Sequence, residues 1–182
     1  MTSLGLTQAD LRVLSDAKYV FRKSRRVLQR YPQPIRDSAI SIVEGCTPIV
    51  PEVSEELQNL QIEGLDPGEI ILLSATKYEE FFYLATGDKR CLTALAAAPK
   101  LAAIRQRLIE RVICLEQLIL RLIYTQGFEL VLTTVLPARE YDTALKVIFG
   151  SGERATQENV LQALEGYIED LRRTTDGLLI NL

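Results

Sequence analysis

Residues 11–21 read LRVLSDAKYVF, and the fold turns on them. Read as a strand, Val13 and Leu14 run into Asp16, and the apolar run resumes at Tyr19-Val20-Phe21. Read as a helix, Thr7 caps the stretch with Asp10 at the third position, and Leu11, Leu14, Phe21 and Leu28 fall at heptad spacing. A strand here opens an alternation of strands and helices. A helix here opens a mostly helical interaction protein. The choice also decides what Asp16 means, because an acid at the end of a strand lies where α/β proteins keep their chemistry.

Downstream, Arg22 to Arg30 is helical by propensity, and Pro32 and Pro34 break it. Ile35 to Val43 predicts a short helix stopped at Gly45. Thr47 to Val50 predicts a short buried strand. Pro51 suits the first turn of a helix carrying Glu52, Glu55 and Glu56. In EGLDPGE (residues 63–69), Asp66-Pro67-Gly68 has turn chemistry, and Glu69 then opens a helix. Phe81 to Ala85 reads as a strand and Lys89 to Ala98 as a helix. Leu101 to Ile109 is a further helix, Val112 to Leu115 a strand, and Glu116 to Thr125 a helix ended by Gly127. Strands alternating with helices imply a parallel sheet with helices on both faces.

After Pro137 the texture changes. Ala138 to Phe149 and Thr156 to Arg173 read as helices, with Thr156 as the N-cap of the second. Leu161, Leu164, Ile168 and Leu171 form an amphipathic stripe. The expected organisation is an α/β domain over residues 1–137 and a helical extension over 138–182. That stripe packs either on the core or on a second copy of the chain, which would make a homo-oligomer.

The 182 residues carry a net charge of −3, so no global basic field points to nucleic acid. The distribution is uneven. Arg22, Lys23, Arg25, Arg26, Arg30 and Arg36 follow one another without an acid between them, while acids dominate from Glu52 to Asp88. A solvated helix face balanced by an acidic one produces this pattern. So does a metal-dependent enzyme acting on a polyanion. The chain has no histidine, which excludes a Ser-His-Asp triad, a histidine base and most zinc sites. Any metal would be a hard cation held by carboxylates, Mg²⁺ or Mn²⁺. Cys46, Cys91 and Cys114 lie far apart among apolar neighbours and read as buried free thiols of a reducing compartment. No signal segment opens the chain and no run of eighteen apolar residues occurs, so the expectation is a soluble cytoplasmic protein without a membrane span.

In this layout Asp16 ends the first strand and Glu56, beside Glu52 and Glu55, lies on the helix after the second. Glu69 opens the helix after DPG, and Asp88 follows the strand YLAT. Each has a plain reading as an exposed acid, a helix-end charge or an N-cap. Jointly they line the crevice at the carboxyl ends of parallel strands, where carboxylates repel one another unless a cation holds them.

The order and spacing of these segments resemble the PIN domain, a family of metal-dependent ribonucleases that includes toxins of toxin–antitoxin pairs. IVPEVSEEL (49–57) and DPGEIILLSA (66–75) resemble a branch with VPxVxEEL followed by a GEAxAIxLA helix. YLATGDKRCLTAL (83–95) resembles the strand with Thr-x-Asp and its helix, and RVICLEQLILRLIYTQGF (111–128) the last strand and helix. RVLSDAKYVF (12–21) resembles the opening strand with its first acid. The resemblance covers roughly residues 12–137. It implies a three-layer α/β/α fold with a central parallel sheet, followed by the helical extension.

It further implies Asp16, Glu56, Glu69 and Asp88 as catalytic metal ligands for Mg²⁺ or Mn²⁺, with Thr86 as the polar residue beside them, RNA as the substrate and an antitoxin or other protein as a partner. The basic stretch with Arg22, Arg25 and Arg26 could track RNA phosphates, and Lys18 could pair with Asp16, contact phosphate or occupy the metal's place. Two departures point to a weak or inactive nuclease serving as an interaction or RNA-binding subunit. Lys18 stands where the family has Asn or Ser, and Gly87 where close relatives have a further acid.

Overall fold

The computed structural model describes residues 7–50, 56, 58 and 60–181. The chain is mixed α/β and divides by its contacts into two units, Met1–Glu52 and Val53–Leu182.

In the first unit both readings of residues 11–21 are partly realised. The Thr7 amide and hydroxyl donate to Asp10 Oδ2 at 2.8 and 2.7 Å and close one turn, Gln8–Asp10. The chain then extends as β1 (Arg12–Leu14) and coils again as α1 (Ala17–Lys23). The capping signal at Thr7 is real, but β1 takes the following residues into a parallel pair with β2 (Thr47–Ile49), Arg12 opposite Thr47 and Leu14 opposite Ile49. The backbone bonds from Thr47 N to Leu11 O and from Ser15 N to Ile49 O extend that pair at either end. Partners distant in sequence thus override a local helix signal.

The basic stretch is two helices rather than one. Ser24, extended at φ −63° and ψ 119°, separates α1 from α2 (Arg25–Arg30). Helix α3 (Gln33–Glu44) starts two residues earlier than expected. Pro34 sits in its first turn, where a missing N–H breaks no intrahelical bond, and Gly45 is the C-cap. The expectation of a buried strand at Thr47–Val50 is corrected, since Thr47, Pro48 and Val50 are all exposed.

In the second unit Glu56 and Gln58 are helical, while Glu52 and Glu55 lie outside the described residues. The DPG segment is a helix start rather than a separate turn. Asp66 is the N-cap and Pro67 the first residue of α4 (Pro67–Ala75). Strands β3 (Leu84–Thr86) and β4 (Val112–Cys114) pair in parallel, with Leu84 opposite Val112 and Thr86 opposite Cys114. Strand β3 begins later than predicted, and Phe81 stands in solvent, 85% exposed. Helices α5 (Lys89–Ala97), α6 (Ala102–Leu108) and α7 (Leu115–Gln126) follow closely the predicted positions.

Gly127, at φ +90°, turns the chain into α8 (Phe128–Arg139), a helix absent from the sequence reading that runs through Pro137. The predicted Ala138–Phe149 helix is therefore the end of α8 plus α9 (Thr143–Ile148), which Asp142 caps by accepting from Leu145 N at 3.0 Å. Helix α10 (Gln157–Thr175) starts at the predicted cap, Thr156.

Two apolar clusters hold this unit. One gathers Leu84, Val112, Leu92, Leu95, Leu101 and Leu108 with Ile168 and Leu171 of α10. The other joins Ile119, Ile123, Phe128, Leu145 and Phe149 to Val160 and Leu164, also of α10. Each fully buried leucine contributes about 1.5–3 kcal/mol. Beyond α10, Leu179 bridges in parallel to Val112, so the last described residues add to the sheet edge beside β4. No helix among the described residues is long and apolar enough to cross a membrane.

Candidate functional site

Parallel strands β3 and β4 end side by side at Thr86 and Cys114, and helices α5 and α7 start immediately beyond them. This end of the sheet brings two helix starts together, and both are capped by side chains, Asp88 on α5 and the Cys114–Gln117 pair on α7. Asp88 is the N-cap of α5. Its Oδ1 accepts from Arg90 N at 2.9 Å, and its Oδ2 pairs with Arg90 Nη2 at 2.7 Å. The Arg90 hydrogen bond is the main reason the Asp88 carboxyl is held below the usual range. Thr86, half-buried, turns its hydroxyl to accept from Asp88 N at 3.1 Å and so fixes the cap.

Glu69 lies in the first turn of α4 and closes a capping box: its Oε2 accepts from Asp66 N at 2.8 Å, while Asp66 Oδ1 accepts from Glu69 N at 2.9 Å. Burial pushes the Glu69 carboxyl up. The charges of Asp66 and Asp88 add to that, against the lowering effect of its hydrogen bonds to Asp66 N and the Cys91 thiol. Burial, with Glu69 next, raises the Cys91 thiol strongly. Glu69 and Asp88 are thus brought within electrostatic reach of each other.

Glu56 is not part of that group. Arg107 forks onto it, Nη2 to Oε1 at 2.5 Å and Nη1 to Oε2 at 3.3 Å. The same guanidinium donates to Thr76 Oγ1 and to the Leu73 carbonyl. Those anchors lie at the last turn of α4 and just beyond it, whereas Glu69 is in the first turn. Asp16 belongs to the first unit. It is exposed between β1 and α1 and makes no side-chain cap bond. Lys18 pairs with Glu44 of α3, and Arg22 Nη2 stands 3.3 Å from the same carboxylate. That pairing, Lys18 first, holds the Glu44 carboxyl below its ordinary value. Arg25 and Arg26 are exposed on α2, and no acid pairs with them or with Lys23 among the described residues.

One acid escaped the sequence reading. Glu116, the second residue of α7, is 1% exposed, and Lys89, the first residue of α5, places its Nζ 2.8 Å from Glu116 Oε1. The same ammonium lies 3.7 Å from the centre of the Tyr167 ring on α10. The Cys114 thiol beside it is pushed up to about 11, chiefly by burial. The available signal was an acid two residues past a short apolar strand, inside an otherwise apolar helix start. In the sequence it read only as the first residue of a helix. Among the described residues no three Cys, Asp or Glu side chains are grouped so as to hold a metal ion.

The chain matches no protein-family model, no curated protein and no solved structure with which it was compared.

Proposed function

We propose that the chain is a PIN-like protein of weak or no nuclease activity that serves as an RNA-binding subunit. The observation that carries this reading is the state of the acids. Glu56 is forked by Arg107, Asp88 is clasped by Arg90, and Glu69 is engaged with the Asp66 amide. A hard divalent cation needs several free oxygen ligands converging on one point, and carboxylates already bound to guanidinium or backbone groups do not supply them as arranged. Each unit holds one parallel two-stranded sheet, and that pairing with the strand–helix order supports an α/β chain of parallel strands. The exposed Lys23, Arg25 and Arg26, clustered without an acid partner among the described residues, are cations available to RNA phosphates.

A second reading, an Mg²⁺- or Mn²⁺-dependent ribonuclease using Asp16, Glu56, Glu69 and Asp88, draws on one observation. Glu69 is part-buried beside the charges of Asp66 and Asp88, an excess of negative charge that a cation would relieve. The deciding experiment pairs single-stranded RNA binding with cleavage. The binding-subunit reading expects salt-dependent RNA binding that weakens when Arg25 and Arg26 are replaced by alanine, and no cleavage in millimolar Mn²⁺. Mn²⁺-dependent cleavage abolished by Asp88→Asn would establish the nuclease instead.

A further inference from the structure

Strand β4 is flanked on both sides, by β3 and by the parallel bridge at Leu179, so the open edge of this sheet is β3. The backbone groups of a strand point alternately to its two edges. Leu84 N donates to Arg111 O on the β4 side, so the N–H and C=O groups of Tyr83 and Ala85 point to the open side. No strand pairs with them there among the described residues. The side chains alternate in step. Phe81, Tyr83, Ala85 and Gly87 are exposed, Leu84 is buried, and Phe82 and Thr86 are half-buried. Tyr83 is 65% exposed, a large apolar surface left in water beside that of Phe81. Edge strands that stay unpaired usually carry a charge or a proline, and residues 81–87 hold neither.

This edge is complementary to itself. Antiparallel pairing of two copies about a two-fold axis at Ala85 sets each Ala85 against its equivalent, exchanging both backbone bonds, and sets Tyr83 against Gly87 of the second copy. A large ring then meets open backbone, because a Cβ at Gly87 would touch nothing nearer than Leu115 Cβ at 3.9 Å. The same pairing carries the exposed Glu80 at one end of the edge toward Arg90 at the other. Arg90 holds Asp88 in its own chain, yet its side chain is 83% exposed.

We propose that the chain forms a two-fold dimer in which the β3 edges of two copies pair antiparallel, joining two small sheets into one. A sheet of two strands is marginal, and the joined sheet has four. The pairing is independent of whether the chain binds or cleaves RNA.

Sedimentation equilibrium of the full chain tests it. The wild type is expected to be a concentration-dependent dimer. Ala85→Pro removes an outward N–H that β4 does not use, so this variant is expected to keep the wild-type far-UV spectrum and to sediment as a monomer. Tyr83→Lys puts a charge on the edge and is expected to weaken the dimer by roughly tenfold or more. Ala85→Cys in a Cys46→Ser background is expected to give a disulfide-linked dimer on mild oxidation, since such antiparallel partners stand about 5.5 Å apart at Cα. Val147→Cys on α9, also exposed, is the control and is expected to stay uncrosslinked. A wild type that is monomeric at every concentration overturns the proposal and leaves the edge to an extended segment of another protein. A dimer that both Ala85→Pro and Tyr83→Lys leave intact overturns it equally. If neither of those variants folds, failure of Ala85→Cys to crosslink within a dimeric wild-type background decides against it.

Discussion

At the scale of single residues, two glycines carry opposite meanings. Gly64 adopts φ +94°, and a Cβ there would meet Ala94 Cβ at 2.9 Å. Gly64→Ala is expected to cost on the order of 1–3 kcal/mol in urea unfolding, from strain and overlap together. Gly166 lies inside α10 with open space where a methyl group would stand, so Gly166→Ala should gain about 0.5–1 kcal/mol in the same assay. Glu69 has a testable sign. Its carboxyl is raised by burial, so the folded state holds the proton more tightly than the unfolded one, and ionisation at neutral pH costs stability. The cost grows as pH rises from the ordinary carboxyl range through the raised value and is absent below both. Glu69→Gln, which keeps an acceptor for the capping box, is therefore expected to be more stable than wild type near pH 7 and equal to it below about pH 4.

At the scale of elements, Gln117 joins three segments of the second unit. Its Oε1 accepts from Cys114 N at the start of α7, and its Nε2 donates to the Ile180 carbonyl at 2.7 Å. The residue is 1% exposed. Gln117→Leu leaves both backbone groups without this partner and should cost about 1–3 kcal/mol. Amide exchange at Leu178 and Ile180, whose N–H groups bond to Thr175 O and Val112 O, is expected to speed up more than exchange within α7. Elements with local signals are legible in the sequence: α5 from its Asp88 cap, α10 from its Thr156 cap and apolar stripe, and β4 from its short apolar run. Helix α8 is not legible. Pro137 reads as a terminator, yet it falls in the last turn of a helix whose Phe128, Val131 and Leu132 are buried in the cluster around Phe149. Packing there outweighs the local penalty.

At the scale of the whole molecule, burial is unequal. Before Glu52 the described residues contribute Ile40 alone to the buried apolar set, whereas both apolar clusters belong to residues after Val53. A chain of residues 53–182 is therefore expected to melt cooperatively in far-UV circular dichroism. A chain of residues 1–52 should show no transition, because so short a segment buries too little to offset its chain entropy. The sequence alone settled matters that depend on near neighbours: the cap at Thr156, the absence of histidine chemistry, and the separation of basic and acidic stretches. It also placed Glu69 and Asp88 near helix starts, where the structure finds them in reach of each other. Only the tertiary structure could decide the pairing of charges across distant segments. Glu56 finds Arg107, Lys18 finds Glu44, and Glu116 finds Lys89, whose ammonium also lies over the face of Tyr167. The sequence carries which residues can be charged. Which cation each acid meets depends on how strands and helices far apart in the chain are brought together, and at these distances that choice governs the energy of a buried charge.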